Sequence, residues 1–427
     1  MATPVATASS HDCSWLFDLL WGREPDVTWA PAGELPAGFE RAERYAVLPC
    51  GGGRTLTVSL AARPGTAAAL TAYNALRSPG RRLPRELVSA GLRTGMAQPF
   101  LRKRLDVGSA IGATLEQRTA LIASEHFVGL FGRAPLVIAF DGGRGPYRKP
   151  VLQVFAANGR PLGHVKIGWN PWTREALHRE AAALRACALR PIRLVVPTVL
   201  DQSSWNGLDL LVTEPLPGGA RRLTGRPRLP EIDVLREINA LSRAFRGGLA
   251  SSPWWRRLRE RISGVTDPFT RGRLASFADA IASSWGAVPL DFATWHGDLV
   301  PWNLARQGGR LHAWDWESSA PDAPVGFDAL HFYLQLAFVA RRRPLEESAR
   351  LARRDADLVL EALGLPPGVV RLVACLHLLE LFVRHEEARS STGDVDDAFY
   401  PAVIGALEQS VAFLHDLSAP EVSTRSL

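Results

Sequence analysis

The sequence predicts an α+β protein: an antiparallel β portion followed by a mainly helical portion, with an additional α+β segment in front. Three observations predict it. Apolar, β-rich runs at Leu136 to Phe140, Val151 to Phe155 and Leu162 to Ile167 are joined by short turn-rich stretches, which suits three adjacent antiparallel strands. Beyond Gly219 the chain is mostly helical in pattern, with one short β interruption around Trp295 to Trp316. The chain has 427 residues, and at roughly 150 per domain it should form two or three domains. The expected boundaries are 1–130 for a cap or docking domain of unknown role, 131–219 for the β portion, and 220–427 for the helical portion.

In order, the first segment offers a short amphipathic stretch from Trp15 to Trp21, then strands at Tyr45 to Leu48 and Thr55 to Leu60 around the turn Gly51-Gly52-Gly53. Helical runs come next at Ala67 to Leu76 and at Leu115 to Phe131, the second stopped near Gly132. In the β portion, Asn158-Gly159 between two apolar runs is a strong hairpin signal. A helix from Thr173 to Leu189 halts before Pro191, and a further strand runs from Leu208 to Thr213.

Composition excludes several classes. With 46% hydrophobic and 22% charged residues the chain is neither disordered nor a disulfide scaffold. Basic residues exceed acidic ones by 50 to 43, but the excess is spread out and almost wholly arginine, and no aromatic-and-basic motif accompanies it; no nucleic-acid partner is expected. Only Lys103, Lys149 and Lys166 are lysine, so each invites scrutiny. Cys13, Cys50, Cys187 and Cys375 lie far apart without zinc-ligand spacing and read as buried thiols. The N-terminus lacks the basic and apolar regions of a secretory signal, and the run Leu330 to Ala340 is about half the ~20 residues of a spanning helix. A cytoplasmic protein without a membrane partner is expected.

The densest cluster of chemical residues is Trp295-His296-Gly297-Asp298-Leu299-Val300-Pro301-Trp302-Asn303, followed by Asp315-Trp316-Glu317. A hairpin centred on Gly308-Gly309 would pair residues whose numbers sum to about 617, which makes Asn303 and Asp315 neighbours. An amide oxygen beside a carboxylate suits Mg²⁺, a hard cation that takes its other ligands from water and substrate phosphates. Asp298 would enter the same site and accept the proton of an attacking hydroxyl.

His296-Gly297-Asp298 with Asn303, then Asp315-Trp316-Glu317, resembles the aminoglycoside phosphotransferase/choline kinase group of the protein-kinase-like fold, which carries HGD-x4-N and a D-[FWY]-E-type motif. The resemblance covers residues 135 to about 400, leaves the first 130 unexplained, and implies a bilobal fold with an antiparallel β N-lobe and a mainly helical C-lobe, in front of which stands the additional N-terminal α+β domain. It implies ATP and Mg²⁺ as cofactors, Asp298 as base, Asn303 and Asp315 as metal ligands, and His296 as an orienting residue. Glu317 either assists the metal or supports the loop. Gly297 stands where protein kinases have arginine. Asp328, at the start of a helical run, reads locally as an N-cap.

A kinase-type N-lobe also needs a third-strand lysine on the nucleotide phosphates and a helix glutamate to hold it. Lys166 lies on the third strand. On the next helix Leu177, Ala181, Leu184 and Ala188 share a face within about 40°, Glu180 lies about 60° off Leu177 at its edge, and Glu175 points nearly opposite. Glu180 is therefore the expected partner. Gly142 and Gly143, in the stretch Asp141 to Gly145, fit a phosphate-covering loop and an ordinary hairpin loop equally well. Glu214 to Gly219 matches the group's hinge, where backbone groups of Glu214 and Leu216 would face adenine.

The implied activity is transfer of the γ-phosphate of ATP to a hydroxyl of a sugar, aminoglycoside or related metabolite. Alternatives are a tailoring kinase acting on a peptide hydroxyl and a nucleotide-binding pseudokinase scaffold. Arg384-His385-Glu386-Glu387 with Asp394, Asp396 and Asp397 lies where related kinases often recognise cationic acceptors, although a charge run more often forms a solvated face. Trp254 and Trp255 suit core packing better than stacking on a sugar or cation.

Overall fold

The computed structural model describes residues 13–49, 55–72, 79–96, 101–132, 134–141, 148–190, 192–223, 229–392, 404–409 and 411. Gly51 to Gly53, Cys50, Gly142, Gly143, Asp394, Asp396 and Asp397 lie outside them. The chain divides into two compact units, Met1–Ala181 with Pro197–Ala220, and Ala182–Val196 with Arg221–Leu427. Among the described residues no helix is long and apolar enough to cross a membrane.

The first unit is built on nine antiparallel strands. They are β1 (Val27–Pro31), β2 (Phe39–Pro49), β3 (Thr55–Ser59), β4 (Arg104–Ala110), β5 (Leu136–Asp141), β6 (Val151–Ala156), β7 (Pro161–Gly168), β8 (Val199–Trp205) and β9 (Leu208–Thr213). Their order in the sheet is β1-β4-β2-β3-β5-β6-β7-β9-β8. The helices are α1 (Ser14–Trp21), α2 (Arg63–Ala72), α3 (Pro79–Thr94), α4 (Leu115–Leu121), α5 (Ala123–Phe131) and α6 (Pro171–Ala188), the last running on into the second unit.

The segment 1–130 does not fold apart from the β portion behind it. Its strands β1 to β4 join the same sheet, because β3 pairs with β5 at Leu56↔Asp141, Thr57↔Phe140 and Val58↔Ala139. The unbroken apolar run of β5 shows why. Successive side chains alternate between sheet faces: Leu136, Ile138 and Phe140 enter one core with Phe17, Trp21 and Tyr45, whereas Val137 and Ala139 enter a second core with Ala67 and Leu70. Both faces are covered by N-terminal residues, so β5 is buried along nearly all of its length.

In the first unit, one helix and one strand differ from the sequence reading. The predicted helix from Leu115 to Phe131 is two helices, because Ile122 adopts an extended backbone (φ −100°, ψ 119°) as its buried side chain enters the core. Thr114 and Gln117 close a capping box at the start of α4. Strand β8 was not predicted: it is a mostly polar strand at the sheet edge and lacks an apolar alternation to betray it.

The second unit contains α7 (Ile232–Asn239), α8 (Pro253–Ser263), α9 (Pro268–Trp285), α10 (Phe327–Gln335), α11 (Leu345–Ala362) and α12 (Pro367–Thr392). The expected single β interruption is two small sheets. One orders β10 (Arg221–Arg222), β13 (Leu304–Gln307) and β14 (Arg310–Ala313) as β10-β13-β14; the other orders β11 (Phe245–Gly248), β12 (Pro289–Trp295) and β15 (Ala320–Pro324) as β11-β12-β15. Trp254 and Trp255 are buried in the helical core, Trp254 edge-on to Phe327 at 5.6 Å, and neither can stack on a ligand from there.

Candidate active site

The hairpin β13–β14 has the register that its glycine pair predicts: Leu304↔Ala313, Ala305↔His312, Arg306↔Leu311 and Gln307↔Arg310. Gly308 and Gly309 make the two-residue turn with φ of +55° and +81°, a conformation that favours glycine. Beyond the strands, Trp314 N–H donates to Asn303 O at 3.2 Å, so the chain on either side, carrying Asn303 and Asp315, stays close.

Asp298 is fixed at both carboxylate oxygens. Asn303 Nδ2 donates to its Oδ2 at 2.8 Å and to its backbone oxygen at 3.1 Å, and His331 Nε2 lies 3.1 Å from its Oδ1. Its side chain remains 35% exposed, so it is oriented without being sealed off. Because the Asn303 amide nitrogen is committed to Asp298, its Oδ1 is the atom left for a cation. Asp315 adopts the left-handed region at φ +72°, uncommon for a residue with a Cβ and typical of strained functional positions. One oxygen each of Asp315 and Glu317 lie within 4.8 Å of one another. An all-oxygen donor set of this kind fits Mg²⁺.

His296 is buried and packs against Trp316, the rings tilted by 44° with centroids 4.4 Å apart. Its Nδ1 accepts the Asp298 N–H at 3.2 Å, which puts the ring proton on Nε2, and burial lowers its pKa, so it is a neutral brace. Asp328 does not cap its own helix; Gly326 occupies the N-cap. Instead its carboxylate accepts the N–H groups of His296 (2.9 Å) and Gly297 (3.2 Å), and burial raises its pKa against the pull of those bonds.

Gly297 has φ +83°, and a Cβ there would lie 2.0 Å from Ser318 O. The arginine that acts on this loop comes from elsewhere. Arg384 of α12 donates to Gly297 O (3.2 Å) and Ser318 O (3.0 Å) and lies over the Trp295 ring at 4.3 Å. We predict that Gly297→Ala lowers the thermal midpoint by several degrees, since the left-handed backbone alone costs about 1–2 kcal/mol and the clash adds to it. A variant melting within a degree of the parent would show that the loop does not need this conformation.

Arg384 also bears on the acidic run, which was expected as a solvated face more than as a cation site and whose aspartates lie outside the described residues. Its Nε donates to the buried Glu380 at 2.7 Å; Arg261 holds Glu380 at 2.9 Å and Glu387 at 2.7 Å, and Arg389 holds Glu386 at 2.8 Å. Burial raises the Glu380 pKa, but the two guanidinium groups outweigh it and hold it below the usual carboxylate value. Glu380, Glu386 and Glu387 thus pair with arginines, Glu380 and Glu386 being buried and Glu387 partly exposed. His331 was not singled out in the sequence, and Arg384 was named only within the charge run, yet they contact Asp298 and Gly297. The spacing of Asp328 and His331, three apart and hence on one helical face, was the available signal.

In the first unit, Lys166 Nζ donates to both Glu180 oxygens at 2.7 Å, and the glutamate is only 2% exposed. Glu175 is exposed and pairs with Arg179 instead. Glu214 N–H donates to Thr198 O at 2.9 Å and so is already used; Leu216 lies two residues on, in the half-buried stretch before Gly218.

No protein-family model and no curated protein matches this chain. Among solved structures, it is similar to a thermostable mutant of aminoglycoside phosphotransferase APH(4)-Ia in apo form (15% identity, 68% of this chain and 99% of that one, TM-score 0.48). It is also similar to amicoumacin kinase hAmiN in complex with AMP-PNP, Ca²⁺ and Ami (12% identity, 65% and 88%, TM-score 0.43), and to choline kinase LicA from Streptococcus pneumoniae (14% identity, 62% and 90%, TM-score 0.40).

Proposed function

We propose that the chain is an ATP-dependent phosphotransferase with a small-molecule alcohol as acceptor. The observation that carries this is Asp298: a partly exposed carboxylate held at both oxygens, next to an asparagine whose amide nitrogen is used and whose oxygen is left for a cation. In the proposed reaction Asp298 accepts the proton of the acceptor hydroxyl, whose oxygen attacks the γ-phosphorus as the bond to the bridging oxygen of ADP breaks. Asn303 and Asp315 would hold Mg²⁺, which when bound neutralises charge on the phosphates; Glu317 is placed to assist Asp315. Lys166, held by Glu180, neutralises nucleotide phosphate oxygens, and the Glu214 carbonyl with the Leu216 backbone serves the adenine. His296, Asp328, His331 and Arg384 position the base and touch no substrate.

The acceptor class, a sugar, an aminoglycoside or a related metabolite, is part of the same proposal. ADP release measured across sugars, aminoglycosides, choline-like amines and peptides tests it. We expect Mg²⁺-dependent release with one of the small-molecule classes; release with peptides alone would replace the acceptor assignment, and nucleotide binding without any turnover would favour a scaffold. Asp315→Ala should lose the thermal stabilisation that Mg-ATP gives the parent protein. Unchanged stabilisation would remove Asp315 from the metal site.

A further inference from the structure

The second unit contains a cavity that the proposed transfer reaction does not use. It has a volume of about 300 Å³ and lies among α10, α11, α12 and residues 404–409. Its floor is apolar, formed by Leu330, Leu334 and Leu378. His377 also lines the cavity; its Nε2 is buried and has no hydrogen-bond partner among the described residues. Burial and the nearby His331 and Arg384 keep the His377 ring neutral, its pKa well below the usual histidine value. The His377 ring lies 5.6 Å from that of His331, whose Nε2 is 3.1 Å from Asp298 Oδ1, but none of Asp298, Asn303 and Asp315 lines the cavity.

The rim has the opposite character. Arg350 and Arg353 of α11 and Arg371 of α12 line it against a single carboxylate, Glu346. Two neighbouring arginines are paired: Arg354 with Asp355 at 2.7 Å, and Arg343 with Glu347 at 3.3 Å. Arg350 and Arg353, three residues apart on one face, have no acidic partner among the described residues. Guanidinium forks match carboxylate and phosphate oxygens in pairs. An apolar floor needs a ligand body that gains from leaving water.

We propose that this cavity binds a small anionic amphiphile, its carboxylate or phosphate held by Arg350 and Arg353 and its apolar body lying on Leu330, Leu334 and Leu378. The cavity is at the small end of ligand pockets, which limits the body to a short chain or a single ring. The site stands independently of phosphate transfer.

Calorimetric titration of the full-length protein with octanoate, octyl phosphate, inorganic phosphate, octanol and octylamine tests it. One of the two amphiphilic anions should bind at a single site, at least tenfold more tightly than inorganic phosphate, octanol or octylamine; the ratio between the two identifies the head group. Replacing Arg350 and Arg353 together by alanine should weaken that binding tenfold or more, about 1.4 kcal/mol. If the double variant does not fold, Arg350→Glu at an exposed position gives the same comparison. Octylamine binding as tightly as the anions, octanoate and octyl phosphate both failing to bind at millimolar concentration, or an affinity unchanged by the arginine substitutions would overturn the proposal.

Discussion

Asp298→Asn should lose at least a hundredfold in turnover while binding Mg-ATP as the parent does. The substitution keeps the shape of the side chain, and one amide oxygen remains to accept from Asn303 Nδ2. What it removes is the capacity to take a proton. A positioned general base typically contributes 10²- to 10⁴-fold, about 3–5 kcal/mol of barrier. Nucleotide affinity is the control, because the carboxylate acts on the acceptor hydroxyl. Stopped-flow or steady-state ADP release together with nucleotide titration separates the two effects. A variant that keeps more than about a tenth of parental turnover, a loss below ~1.4 kcal/mol, would remove Asp298 from the role of base.

The second large effect is expected in the first unit. Lys166→Met should cost about 3–5 kcal/mol of stability, because it leaves the Glu180 carboxylate buried without the ammonium that contacts both of its oxygens. Lys166→Met combined with Glu180→Leu should recover most of that loss, since the buried charge is then gone along with its partner. The comparison is made by urea denaturation of the two variants and the parent. The coupling between the substitutions is the measured quantity, expected at about 2 kcal/mol or more in magnitude. Additive losses, or a single variant as stable as the parent, would mean that the pair carries little energy. In either stable variant, nucleotide binding should be weaker than in the parent, because the proposed contact with phosphate is lost.

Much of the fold was legible because it rests on local rules. The sequence marks the strands β5, β6 and β7 through apolar runs separated by turns, and Asn158-Gly159 joins the latter two with Gly159 at φ +89°. Two glycines set the register of β13–β14, since a turn with positive φ at both positions permits few alignments. The angle of Glu180 on its helix was enough to separate it from Glu175, because the helical period fixes which side chains reach the buried face. Composition failed where the polar pattern was mixed: β8 is an edge strand with little to bury, and the helix break at Ile122 depends on where that side chain finds its core.

The sequence alone determined the spacing of Asp298, Asn303 and Asp315 and the hairpin between the last two, since residue types, spacing and a two-residue turn are all properties of neighbours. Tertiary structure decided what holds those residues. His331 and Asp328 reach the 296–298 loop from α10, and Arg384 reaches it from α12, 87 residues beyond Gly297. It also decided that strands β1 to β4 join the main sheet and that Glu380, Glu386 and Glu387 face arginines. The physical reason is the same in each case. Burying a carboxylate or an N–H group is costly unless a partner meets it, and that partner is chosen by packing among elements distant in sequence, which no local pattern records.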